Sequence, residues 1–199
     1  MAYTTVAKPS AHCEAKTYTG SSSAVSVTGV GFKPDIVWTK DRTEAHAFGM
    51  YDSSRGIKRW LKGNATQSEN NNSGASVVDA SLTSFDSAGF TIANMSSDPI
   101  GNKNGNYYRS WLWKANGGTT SSNGSGSITS TVQANTTAGM SIVTYAGTGE
   151  NATIGHGLGV APKFIITKNR TNGRGWGVYH GATEIVTDTQ TDYMELNTA

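Results

Sequence analysis

A single cysteine, Cys13, stands in 199 residues, so no disulfide can form within the chain. A lone thiol agrees with folding in a reducing compartment. Charge is scarce as well: 15% of residues are charged and the formal net charge is +2. Tight nucleic-acid binding draws on clustered Lys and Arg, so nucleic acid is not an expected partner. No apolar run approaches the roughly 18 residues of a membrane helix, and membrane insertion is not expected. The opening MAYTTVAKPS lacks a basic stretch followed by an apolar core and does not read as a secretory leader. No window repeats apolar residues at i, i+3, i+4 and i+7, so little helix is expected.

Glycine is abundant at 24 residues, and five Trp, eight Tyr and five Phe separate the composition from that of a disordered chain. Short apolar runs among small polar residues suit an all-β protein with many turns. DIVWTK (Asp35 to Lys40) follows Pro34 and alternates: Ile36, Trp38 and Lys40 on one side, Val37 and Thr39 on the other. LTSFDSAGFTIA (Leu82 to Ala93) reads as a hairpin turning at Asp86 to Gly89. YYRSWLWKA (Tyr107 to Ala115) reads as a strong strand.

The chain also repeats itself. GVGFKPDIVWTKDRT begins at Gly29, and GLGVAPKFIITKNRT begins 128 residues later at Gly157, with seven identities in fifteen. FGMY (Phe48 to Tyr51) lies over WGVY (Trp176 to Tyr179) at the same offset, and TYTG (Thr17 to Gly20) over TYAG (Thr144 to Gly147) at 127. NGGTTSSNGSGS (Asn116 to Ser127) separates the copies and has the composition of a flexible connection. The expected organisation is two tandem β-sandwich units of jelly-roll or concanavalin-like kind: residues 1–115, a linker over 116–126, and 127–199. The second unit is expected to be incomplete, because it has no counterpart of the Leu82 hairpin or of the closing Trp strand. More polypeptide after Ala199 is the expected completion, with a neighbouring subunit as the alternative. Pro34, Trp38 and Lys40 should superpose on Pro162, Ile166 and Lys168, with Trp38 and Ile166 facing a core.

Chemistry-bearing constellations are few. His12, His46, His156 and His180 show no metal-ligand spacing with one another or with Cys13. There is no Gly-x-Ser-x-Gly elbow and no phosphate-cradling Gly-x-x-x-x-Gly-Lys-Ser/Thr. A glycosidase would need two facing carboxylates. The acidic residues near strands are Asp35, Asp79 and Asp86, and the repeat replaces Asp35 by Lys163. No catalytic residue, metal ligand or cofactor site is therefore assigned, and no enzyme activity is expected. Trp111 and Trp113 share a strand face with Tyr107 and Arg109; the stripe reads as the inner face of a sandwich, and otherwise as a platform for sugar rings. The basic run Arg55, Lys58, Arg59 and Lys62 reads first as a solvated edge strand or loop. Trp60, with Arg55, Lys58 and Arg59, is the candidate surface contact for a glycan.

MAYTT, YTG, GVGFKPDIVWTKDR, DSSRG, LTSFDSAGF and WLWKA, with GMSIVTYAGTGENATIGHGLGVAPKFIITKNR and WGVYH in the second copy, resemble a family of uncharacterised bacteriophage domains, especially of marine phages. The resemblance covers nearly the whole chain. Such domains recur in tandem in predicted tail-fibre and virion structural proteins. The resemblance implies a concanavalin-like fold, a place in the virion after assembly in the host cytoplasm, and a role as a tail or head fibre or capsid decoration subunit. It implies as partners a second copy of the chain and other virion proteins, with a host-surface glycan as a further one. It transfers no catalytic residues. The alternatives are a particle-borne glycan-binding or glycan-degrading protein, and a free sugar-binding module.

Overall fold

The computed structural model describes residues 8–70, 81–95, 99–181 and 194–196. Asp79 and the opening MAYTT lie outside the described residues. The architecture is all-β, with one short 3-10 turn at Pro9–Ala11 and no α-helix among the described residues. The strands are β1 (Cys13–Thr19), β2 (Val25–Val27), β3 (Ile36–Asp41), β4 (Gly49–Asp52), β5 (Leu61–Lys62), β6 (Leu82–Asp86), β7 (Gly89–Ile92) and β8 (Tyr107–Trp113). They continue with β9 (Ser121–Asn123), β10 (Ser130–Asn135), β11 (Met140–Tyr145), β12 (Phe164–Lys168), β13 (Trp176–His180) and β14 (Met194–Glu195).

One antiparallel sheet runs β1-β8-β3-β4-β5, and a smaller one runs β2-β7-β6. They close on a common core: Val37, Tyr51 and Leu112 from the first meet Val27, Leu82, Phe90 and Ile92 from the second. The pleat puts alternate residues on opposite faces, and β3 buries Val37, Thr39 and Asp41 while Ile36, Trp38 and Lys40 lie outward. The Leu82 hairpin forms as expected. Its Gly89 has φ 154, and a Cβ there would collide with the Val27 carbonyl oxygen of the neighbouring strand.

Two expectations are corrected here. Trp38 does not face the core, and neither does the stripe of Trp111 and Trp113 with Tyr107 and Arg109. β8 buries Tyr108, Ser110 and Leu112 instead. Both faces of β3 and β8 are apolar enough to be inner, so alternation alone does not choose between them. The close approach of the 99–102 segment does: the Thr39 hydroxyl donates to the Ile100 carbonyl at 2.6 Å, leaving room for Thr39 and Ser110 but not for an indole. The connection at Asn116 to Ser127 is also not a free tether. Gly117 donates its N–H to Asp35 (2.9 Å), Gly118 donates to Gln133 (2.8 Å), and β9 pairs with β10. Its glycines serve positive φ, 65° at Gly117 and 89° at Gly118, rather than looseness.

Strands β9 to β14 form two further three-stranded sheets, β11-β10-β9 and β12-β13-β14.

Candidate assembly surface

The repeat is visible in the hairpins β3–β4 and β12–β13. Thr39 pairs with Gly49 and Val37 with Tyr51; Thr167 pairs with Gly177 and Ile165 with Tyr179. A Cβ on Gly49 or on Gly177 would lie 2.9 Å from the threonine hydroxyl across the ladder, which is why both positions are glycine. Lys40 donates to the His46 carbonyl (2.7 Å) and covers the Phe48 ring. Lys168, its counterpart, donates to the Arg174 carbonyl (2.6 Å) and covers Trp176. Asp41 accepts the N–H groups of Thr43 and Glu44, and Asn169 accepts those of Thr171 and Asn172. The repeated Thr-Lys-x-Arg motif therefore fixes the loop that follows the strand.

What surrounds the two hairpins differs. β3 lies between β8 and β4, and the β2-β7-β6 sheet covers its inner face. β12 ends its sheet, with no strand at its outer edge among the described residues. Exposure follows: Val37 is 0% exposed and Ile165 38%, Tyr51 1% and Tyr179 42%, Phe32 4% and Val160 68%. Phe164 at the head of β12 is 56% exposed. The second hairpin thus offers a small apolar face beside an open strand edge, a combination that invites pairing.

The hairpin is anchored to the first unit from its other side. The Trp176 indole donates to the Lys62 carbonyl (3.0 Å), and Lys168 reaches the Thr66 carbonyl (3.0 Å). Glu69, nearly buried, accepts from Arg55 at 3.0 Å and from Arg170 at 2.6 and 2.9 Å. A second lock joins β10 to the end of the large sheet. The buried Gln133 amide accepts from Asn116 and Gly118 and donates to Ser53 and Ser54, and Asn135 donates to the Ala115 carbonyl. Buried Asp35 accepts from Ser53, Ala115 and Gly117. This role was invisible in the repeat comparison, where Lys163 replaces it.

The four residues expected to make a surface contact are not a surface group. Trp60 is buried in the core cluster and bridges Asn70 through its backbone. Arg55 is held by Asp52, Glu69 and the Met50 carbonyl, with its side chain almost fully buried. Lys58 sits in the left-handed region (φ 62) and its N–H bonds the Leu82 carbonyl, which draws the loop onto β6. Arg59 alone is exposed among the four. The acidic partners Asp52 and Glu69 account for the difference: they pull the arginine inward, where a charge needs pairing.

Of the other titratable groups, Asp41 is the most elaborated. Burial pushes its carboxyl up, but hydrogen bonds from Asn106, His46 and the Thr43 and Glu44 N–H groups outweigh burial and hold it below the ordinary value. Burial raises the Tyr18 and Tyr108 phenols. Asp86 accepts from the Thr91 hydroxyl at 2.8 Å, a hairpin cross-brace. No group of three or more metal-binding side chains occurs among the described residues, and no helix is long and apolar enough to cross a membrane.

Comparison with curated proteins and with solved structures yields no match. The model of one family, described as a domain of unknown function (DUF7483), matches residues 8–199, and the chain belongs to that family.

Proposed function

We propose that this protein is a structural component of a bacteriophage particle, a fibre or decoration subunit that self-associates and carries no enzyme activity of its own. The observation that carries the reading is the second hairpin, with its open β12 edge and exposed Val160, Ile165 and Tyr179. An isolated soluble unit gains nothing from leaving that face bare, whereas an assembling subunit uses it. The junction supports the same reading: Gln133, Asp35 and Glu69 tie the two halves without a loose tether, as a load-transmitting subunit requires. The resemblance to phage tail and virion domains supplies the particle. Proteomics of purified phage particles, with immunogold labelling of the intact virion, tests the location. Enrichment on the particle surface is expected; a protein found only in the lysate soluble fraction would reject the proposal.

A further inference from the structure

The outer face of the large sheet carries a feature unrelated to the assembly face. Along β8 the outward side chains are Tyr107, Arg109, Trp111 and Trp113, successive positions about 7 Å apart. Tyr107 is 58% exposed, and both tryptophans are partly exposed. The register sets Trp111 between Trp38 and Ala15, and Arg109 between Lys40 and Thr17. Neighbouring β1 shows outward only Cys13, Ala15, Thr17 and Thr19, all small, and β1 is the edge of the sheet among the described residues. The result is an aromatic ridge above a shelf of small and hydroxyl side chains, open along one side.

Over β1, β8 and β3 the charges on this face have one sign, and the Asp52 carboxylate of β4 is paired with Arg55. Outward positions of β1, β8 and β3 include Lys40 and Arg109 and no carboxylate. Lys40 is committed to the His46 carbonyl and the Phe48 ring. Arg109 forms no hydrogen bond or ion pair with a described residue, and neither does the guanidinium of Arg42, whose N–H continues the ladder to the Tyr107 carbonyl at 2.8 Å. The repeat sharpens the point. Arg170, the counterpart of Arg42, is neutralised by Glu69, while Arg42 meets no carboxylate among the described residues. Exposed aromatic rings stack on the apolar faces of flat or ring-shaped ligands, and an unpaired guanidinium selects a carboxylate through a planar, two-point hydrogen bond.

We propose that the Tyr107–Trp113 ridge and the β1 shelf bind a carboxylated polysaccharide, with sugar rings against Tyr107 and Trp111 and a uronate carboxylate on Arg109 and Arg42. Thr17 and Thr19 face the sugar hydroxyls. The site does not depend on the assembly reading, and either can fail alone.

The test is isothermal titration of the full chain with polygalacturonate, with dextran as the neutral control, and dextran sulfate and duplex DNA as polyanion controls. Binding of polygalacturonate alone, with quenching of tryptophan fluorescence, is expected. Arg109→Ala should weaken it about ten- to a hundredfold. Thr17→Trp, which fills the exposed shelf and crowds Arg109 across the ladder, should abolish binding while leaving the melting temperature unchanged. Galacturonic acid as monomer should bind far more weakly than the polymer. Absence of polygalacturonate binding, equal binding of dextran sulfate or DNA, or full affinity in Thr17→Trp would overturn the proposal.

Discussion

Val37 and Ile165 occupy the same rung of the same hairpin, each opposite a tyrosine and two residues before a threonine that faces glycine. One is sealed in a core and the other meets solvent. Local sequence produced the same turn, register and lysine strut twice. Burial did not repeat, because burial depends on β8 and on the β2-β7-β6 sheet, and no described strand takes their place beside β12. The repeated segment therefore encodes a hairpin, and the fate of its inner face is decided by chain that lies elsewhere.

The largest expected break in the symmetry comes from the paired tyrosines. Tyr51→Ala should destabilise the fold by about 3–5 kcal/mol, the range for deleting a buried aromatic. Tyr179→Ala should change stability by about 0.5 kcal/mol or less if its face is solvated. Urea denaturation of both variants measures the contrast, and equal losses would mean that Tyr179 is buried in solution. Next comes the clamp between the units. Glu69→Gln leaves the nearly buried Arg55 with Asp52 as its remaining carboxylate and takes the Glu69 carboxylate from Arg170, and a loss of about 1–2 kcal/mol is expected. Arg59→Ala, by contrast, removes a largely exposed group 3.7 Å away from Glu69 and should cost about 0.5 kcal/mol or less.

Gly49→Ala and Gly177→Ala probe the shared part. Both new methyl groups meet the facing threonine, but only Gly49 is also hemmed in by the Ile100 carbonyl and the Tyr51 ring. Losses of about 2 kcal/mol for Gly49→Ala and about 1 kcal/mol for Gly177→Ala are expected in thermal melts. Adding Thr167→Ala should recover most of the second loss.

The smallest effect separates Asp41 from Asn169, which hold the same turn. The Asp41 carboxyl is depressed in the folded state. Its contribution is therefore present above the unfolded value of about 3.9 and is lost as pH falls through the lower folded value. The first loop should loosen in acid while the Asn169 loop does not. Asp41→Asn should flatten the fall in melting temperature below about pH 4, and an unchanged acid limb in that variant would remove the assignment.

Much of this was legible in the residues themselves. The Leu82 hairpin carried its turn glycine and the strand after Pro34 carried its alternation, whereas the 128-residue echo was read as two sandwich units and the structure shows the likeness in one hairpin of each copy. The choice of inner face was not legible. Trp38 and Trp111 are more apolar than Thr39 and Ser110, yet the smaller pair is inside, because the 99–102 segment crosses closely above them and satisfies the Thr39 hydroxyl. Trp60 failed for a related reason. Basic neighbours suggested a wet surface, but Arg55 was destined for Asp52 and for Glu69, fourteen residues away in sequence. The linker misled by composition: its glycines meet the buried Asp35 and Gln133. The exposure of Ile165 and Tyr179 was not legible either: the repeat marks the same segment twice, and only the fold shows that no described strand lies beyond β12.

Hydrogen exchange at β3 and β12, followed as protein concentration is raised, tests the central claim most directly. Amides of β3 should be protected at every concentration. The alternate amides of β12 that point to the open edge should exchange rapidly in dilute solution and become protected as subunits associate, with Ile165→Lys abolishing the change. Strong protection of those β12 amides at every concentration, or none at any, would contradict the account.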